Sequence, residues 1–382
     1  MSHLHRAFLP LVLALALSGC MPNPAEPTSP TAAPIADSGA SSEPAGPPTS
    51  LVGLGCDELV SLTTIQAALS TEVVARPVAP RPYGPSTALY DVALLQDGGT
   101  QCLWSNGDPL DFTEGYEEVR FSILPNAGDV WAATRARLLM TDDEIVLGGG
   151  APVTFGDESV TDCASDDHGY YGTCLFEVLT GEYWLSFAIT GVTETAGSGN
   201  AGDAIVRAVA DAVGARPAPG PQWAPPAGTR PAPSDCAGVL PVADIRSALG
   251  EASIDEDFAY DSSPSFLDGA SFAQAGAAHC GWRTPVDWID PSGAGRYVVI
   301  FELAVLEGGS WYWDGSAEPP HVAGAVLTPV AGVGDAAWGS CHSAYPECTL
   351  HVLKDNTWFV LSSENAVTDL SAVVALAHEV VD

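Results

Sequence analysis

Lysine is nearly absent from this sequence. Lys354 stands alone beside twelve arginines, against 48 Asp and Glu, and the net charge is −35. That balance excludes a nucleic-acid partner, because nothing offsets repulsion from the phosphates. It also excludes a face laid on anionic lipid, and it all but removes lysine-based catalysis. Long apolar runs are missing too. The best, Ala7 to Leu17, is eleven residues broken by Pro10. A helix that crosses about 30 Å of hydrocarbon needs about 20 residues.

What that short run does resemble is the apolar region of a secretion signal, with Arg6 ahead of it. It ends in Leu17-Ser18-Gly19-Cys20. Small residues before a single cysteine let a peptidase close on the backbone, and the thiol can carry a diacylglyceryl thioether. The four residues resemble the lipobox of bacterial lipoproteins. The resemblance implies cleavage before Cys20, acylation of Cys20, and anchorage in the bilayer on the extracytoplasmic side. Two or more acyl chains, at about 0.8 kcal/mol per buried CH₂, hold where one would not.

The chain has nine cysteines. With Cys20 acylated, an even set remains: Cys56, Cys102, Cys163, Cys174, Cys236, Cys280, Cys341 and Cys348. In an exported protein such a set reads as a disulfide framework. The expected pairs are 56–102, 163–174, 236–280 and 341–348, although four cysteines per half allow three pairings.

Residues 20–51 are rich in Pro, Ala, Ser and Thr and read as a disordered tether. Beyond it the sequence repeats with a period near 180 residues. Cys56 matches Cys236, and Cys102-x-Trp104 matches Cys280-x-Trp282. Cys163 and Cys174 match Cys341 and Cys348, and Trp184 matches Trp358. Phe155-Gly156-Asp157 matches Val333-Gly334-Asp335. The expected organisation is copy one at 52–215, a Pro-rich linker at 216–235, and copy two at 236–382.

Each copy opens on a helix whose apolar positions, such as Leu59, Leu62, Ile65 and Leu69, form one stripe. A polar, Pro-rich excursion at 76–86 or 255–275 follows. Then come a Cys-x-Trp strand, a longer strand (118–124; 297–303), and a middle helix at 127–140 with Val130, Ala133, Leu138 and Leu139 inward. Copy two has a shorter version at Gly308–Gly315. Two hairpin strands turn at Gly181-Glu182 or Asp355-Asn356 before a terminal Ala/Val-rich helix. The fold class expected is α+β: two tandem disulfide-stapled domains, each an antiparallel sheet with helices mostly on one face.

The lipobox, the tether, the early Cys, the Cys-x-Trp and the late Gly-Asp together resemble the uncharacterised DUF3558-like lipoproteins of actinobacteria. The preference for Arg over Lys, with abundant Ala, Gly, Pro and Asp, points to the same GC-rich source. The family has no assigned reaction, so the resemblance implies location and fold only.

Candidate chemistry is sparse. His279-Cys280, Cys341-His342 and His168 lack zinc-ligand spacing, and Asp255-Glu256-Asp257 with Asp261 lacks a calcium-loop pattern. No metal or cofactor is expected. No Gly-x-Ser-x-Gly is present, and the two cysteine loops share no histidine register, so no catalytic residue is expected either. Aromatics remain. Trp104, Trp282, Trp184 and Trp358 read as core. Trp311, Trp313, Tyr170 and Tyr171 read as a candidate ligand surface, since acids beside aromatics suit sugars, peptides or cations. The expected function is a non-catalytic binding module for an envelope or extracellular ligand. The alternatives are an envelope assembly protein acting through protein contacts and, third, an envelope hydrolase.

Overall fold

In the computed structural model the described residues are 46–69, 71–78, 87–107, 115–138, 154–164, 173–191, 202–254, 265–284, 300–319, 326–342, 347–364, 367 and 369–382. Cys20, the tether before residue 46, Tyr170, Tyr171, His168 and the 255–261 acidic segment lie outside them.

The first copy runs α1 (Cys56–Leu59), α2 (Leu62–Ala68), β1 (Val74–Ala75), α3 (Thr87–Gln96), β2 (Thr100–Ser105), β3 (Glu118–Pro125), α4 (Gly128–Leu138), β4 (Glu158–Ala164), β5 (Thr173–Thr180), β6 (Tyr183–Thr190) and α5 (Asp203–Gly214). The second runs α6 (Cys236–Val239), α7 (Val242–Leu249), α8 (Phe266–Gln274), β7 (Ala277–Arg283), β8 (Ile300–Leu306), a single 3₁₀ turn (Gly309–Trp311), β9 (Thr328–Pro329), β10 (Ala336–Cys341), β11 (Glu347–Lys354), β12 (Thr357–Glu364) and α9 (Leu370–Val381).

The fold is α+β, with two antiparallel six-stranded sheets. Their orders are β1-β2-β3-β6-β5-β4 and β7-β8-β12-β11-β10-β9. Without the short edge strands β1 and β9 the orders are identical. The registers agree as well. Cys102 faces Phe121, which faces Phe187, which faces Phe176. In the second copy Cys280 faces Leu303, Leu361 and Leu350 in the same succession.

The expected opening helix is two short ones in each copy. Ser61 breaks the first pair, its side chain accepting the Thr64 N–H to start α2. Pro241 breaks the second pair, because it has no N–H with which to continue α6. Two further corrections concern the second excursion and the middle helix. The segment 255–275 contains α8, and α3 stands at the matching place in copy one. Among the described side chains of α4, Val130 packs against the core as expected and Trp131 is buried, while Ala133 is exposed. Leu138 and Leu139 fall outside the described side chains.

The opening and closing helices share one face of each sheet. Ile65, Val206, Val209 and Val213 pack on Trp104, Phe121, Phe176 and Phe187. Ile245, Val373, Leu376 and Val380 pack on Trp282, Phe301, Leu350 and Phe359. The opposite faces point toward each other, with α3 and α8 between them. Leu89, Tyr90, Val92 and Ala93 of α3 join Leu306, Trp358 and Val360 of the second sheet. Leu267 and Ala270 of α8 join Leu124 and Trp184 of the first sheet and Trp131 of α4. Each copy therefore lends its central helix to the other's core. Residues 43–382 form one compact unit.

The linker belongs to that unit. Tyr183 Oη donates to Pro217 O at 3.1 Å, and Asn126 Nδ2 to Gly220 O at 3.1 Å. Trp223 Nε1 donates to Gly46 O at 2.8 Å. The Arg230 guanidinium donates to the Val380 and Val381 carbonyls at the end of α9, at 2.7 and 2.5 Å.

Three disulfides have the expected pairing: Cys56–Cys102, Cys236–Cys280 and Cys341–Cys348. Cys174 is disulfide-bonded, and Cys163 stands across from it in the register.

Candidate functional site at the seam between the copies

The polar chemistry of the described residues gathers on the inner sheet faces, beneath the two shared helices. One row of side chains crosses each sheet at the same level. In the first sheet it reads Gln101, Ser122, Ser186, Glu177, Val160. In the second it reads His279, Ala304, Val360, His351, Trp338. The copies agree in backbone and differ in chemistry. One row is mostly hydrogen-bonding; the other is mostly apolar and aromatic.

Glu177 is the centre of the first row. Trp184 Nε1 donates to its Oε2 at 2.6 Å, and Ser186 Oγ to its Oε1 at 2.9 Å. Asp268, only 1% exposed, approaches from α8. Glu177 retains some surface, but its carboxyl lies deep among protein atoms. Burial pushes its pKa up to about 8; the Trp184 and Ser186 donors pull the other way, and the Asp268 charge adds to the rise. A neutral carboxyl here sits beside a second carboxyl contributed by the other copy. Nearby, Gln101 Nε2 donates to Asp91 Oδ1 on α3 at 2.8 Å.

The matching row in copy two is occupied by rings. Tyr90, from α3, places its hydroxyl 3.4 Å from His279 Nδ1. His279 Nε2 lies 3.8 Å from Glu302. His351, 1% exposed, packs against Trp313 and Trp358. Further along this face Glu347 and Glu364 stand directly opposite each other. Burial, then the Glu302 and Glu347 charges, raise the pKa of Glu364.

No family model, curated protein or solved structure matches the chain.

The expected aromatic surface needs correction. Trp313 is 4% exposed and fills the core against Trp358, with ring centroids 5.4 Å apart. Trp311 is partly buried, and its Nε1 donates to Gln96 Oε1 of α3 at 2.9 Å. The expectation rested on a helix, on which alternate residues cannot share a buried face. The 3₁₀ turn ends at Trp311, so the chain bends there and both indoles enter the protein. The exposed ring is Tyr312, at 41%. It lies edge-to-face with Trp311 at 5.3 Å. Burial, and then the Asp91 charge, raise its pKa. Trp104, Trp282, Trp184 and Trp358 are core residues as expected.

Cys280 and Cys341 are committed to disulfides. Among the described residues no group of His, Cys, Asp and Glu could hold an ion. No described helix is long and apolar enough to cross a membrane.

Sequence reasoning missed Glu177, although a signal for it existed. The strand Leu175-Phe-Glu-Val-Leu179 is apolar at both parities, as is Trp184-Leu-Ser-Phe-Ala. Strands apolar on both faces are covered on both sides. A glutamate within one is then at least partly covered, as Glu177 is, although Leu175 on the same face stays exposed.

Proposed function

We propose that this chain is a lipid-anchored, extracytoplasmic binding module of the kind its resemblance to actinobacterial lipoproteins implies. Acylated Cys20 holds it in the bilayer, and the unit that starts near residue 43 carries recognition. Cystines in both copies support an oxidising compartment.

Tyr312 carries the binding reading. It is a large exposed ring on an otherwise enclosed aromatic cluster, with Trp311 at right angles to it and the Asp91 charge close by. Two perpendicular rings suit a ligand with an apolar or cationic face.

The experiment is a thermal-shift screen of the unlipidated 43–382 fragment against amines, saccharides and short peptides. A ligand of this site raises the melting temperature of the parent protein by mass action and leaves Tyr312→Ala unshifted. Equal shifts in both proteins overturn the assignment. Palmitate labelling tests the anchor separately: label in the parent and none in Cys20→Ala is expected.

A further inference from the structure

The two copies meet over ionisable groups that a purely structural seam does not need. Glu177 belongs to the first sheet and Asp268 to α8 of the other copy, and the charge of one acts on the other. Asp268 lies in the first turn of α8, where it accepts from Ser265 Oγ at 2.8 Å and where the helix dipole favours negative charge. Leu267 and Ala270, its helical neighbours, seat α8 on Trp184, the same indole that donates to Glu177. The seat of the helix and the state of the carboxyl thus share one side chain.

We propose that Glu177 is a proton-held clasp between the copies: neutral, it lets α8 rest on the first sheet; ionised beside Asp268, it loosens that rest. The surroundings fit this role. From β6 the carboxyl meets Trp184 and Ser186. Its register mate on β4 is the uncharged Val160. Glu158, further along β4, is occupied by the Trp131 indole at 3.0 Å. From α8 the charge of Asp268 acts on it. A second acid stands by the other shared helix. Asp97 directly follows α3, is 3% exposed, and has an Oδ2 with no hydrogen-bond partner. Burial raises its pKa to about 8 as well.

The direction follows from linkage. Both carboxyls titrate higher in the folded protein than in the unfolded chain. Their contribution is complete below the ordinary carboxylate range and is lost as pH rises toward about 8. Across that interval each such proton weakens folding about tenfold per pH unit.

The test is the urea stability of the 43–382 unit between about pH 5 and about pH 9, for the parent, Glu177→Gln and Asp97→Asn. Gln keeps an acceptor for Trp184 and cannot ionise. The parent is expected to weaken as pH rises, Glu177→Gln to lose about one proton's share of that slope, and Asp97→Asn about one more. Parallel slopes in parent and Glu177→Gln overturn the clasp. If Glu177→Gln does not fold, carbon NMR of glutamate carboxyls in the parent decides. A resonance that titrates near pH 8 upholds the proposal, and glutamates all ionised by about pH 6 end it.

Discussion

Gln96 and Gln274 stand at matching places in the two copies and make the same bond in opposite directions. Gln96 Nε2 donates to the carbonyl of Glu307, just past β8, at 2.9 Å. Gln274 Nε2 donates to the carbonyl of Pro125, at the end of β3, also at 2.9 Å. The sheet registers make Pro125 and Glu307 equivalent. Each copy thus clamps the other's sheet with the last residue of its central helix. This reciprocity is the geometry of a twofold dimer written into one chain.

Gln96 carries the greater load, since it also donates to Ala275 O and accepts from the Trp311 indole. Gln96→Ala leaves several buried polar groups without partners, at about 1–3 kcal/mol each. We expect it to lower urea stability more than Gln274→Ala. We also expect both copies to unfold together, so that tryptophan fluorescence and circular dichroism give coincident curves. Two separated transitions would contradict a shared core.

The disulfides make unequal contributions. Cys56–Cys102 encloses a separation of 46 residues, and Cys341–Cys348 only 7. The chain-entropy argument gives about 4 kcal/mol for the first and about 2.4 kcal/mol for the second. Replacing Cys56 and Cys102 by Ala should therefore destabilise the fold more than replacing Cys341 and Cys348. Chemical denaturation of the two double variants checks the order.

Trp313 and Tyr312 are adjacent in sequence and opposite in role. Trp313→Ala empties a core site and should cost about 3–5 kcal/mol. Tyr312→Ala removes a ring that is 41% exposed and should cost far less, about 1 kcal/mol. If Tyr312→Ala unfolds the protein, the ring is structural and the proposed ligand surface is lost.

The repeat, the Cys-x-Trp strands, the hairpins and the terminal helices were legible because each has a period or a fixed spacing. Cys102 and Trp104 fall on one face because strands alternate, and both are buried in the same core. The shared helices were not legible. Thr87 to Gln96 shows no apolar stripe and Phe266 to Gln274 only a weak one, because each is covered on more than one side. A helix buried all round loses the periodicity by which surface helices are recognised. Glu177 lies on a strand whose doubly apolar pattern marks it, but its setting was not legible. Its partner Asp268 comes from the other copy, and the separation in sequence carries no trace of their meeting.

The Gly-Asp motif of each copy proves to be structural. Gly156 has φ +55° and Gly334 φ +56°. An added Cβ would lie 2.3 Å from the Leu179 carbonyl in one copy and 2.6 Å from the Leu353 carbonyl in the other. The aspartates then cap the hairpin turns. Asp157 Oδ2 accepts the Gly181 N–H at 2.7 Å, and Asp335 Oδ2 accepts the Asp355 N–H at 2.9 Å. Gly156→Ala and Gly334→Ala should both destabilise, through backbone strain and a clash with main chain that cannot move aside. The Asp355 N–H, followed by Lys354, holds the Asp335 carboxyl below the usual carboxylate range. That contribution is present above the ordinary aspartate pKa and disappears as pH falls through the lower, folded value. Asp335→Asn should therefore be less stable than the parent at neutral pH and approach it in acid, as melting curves at the two pH values would show.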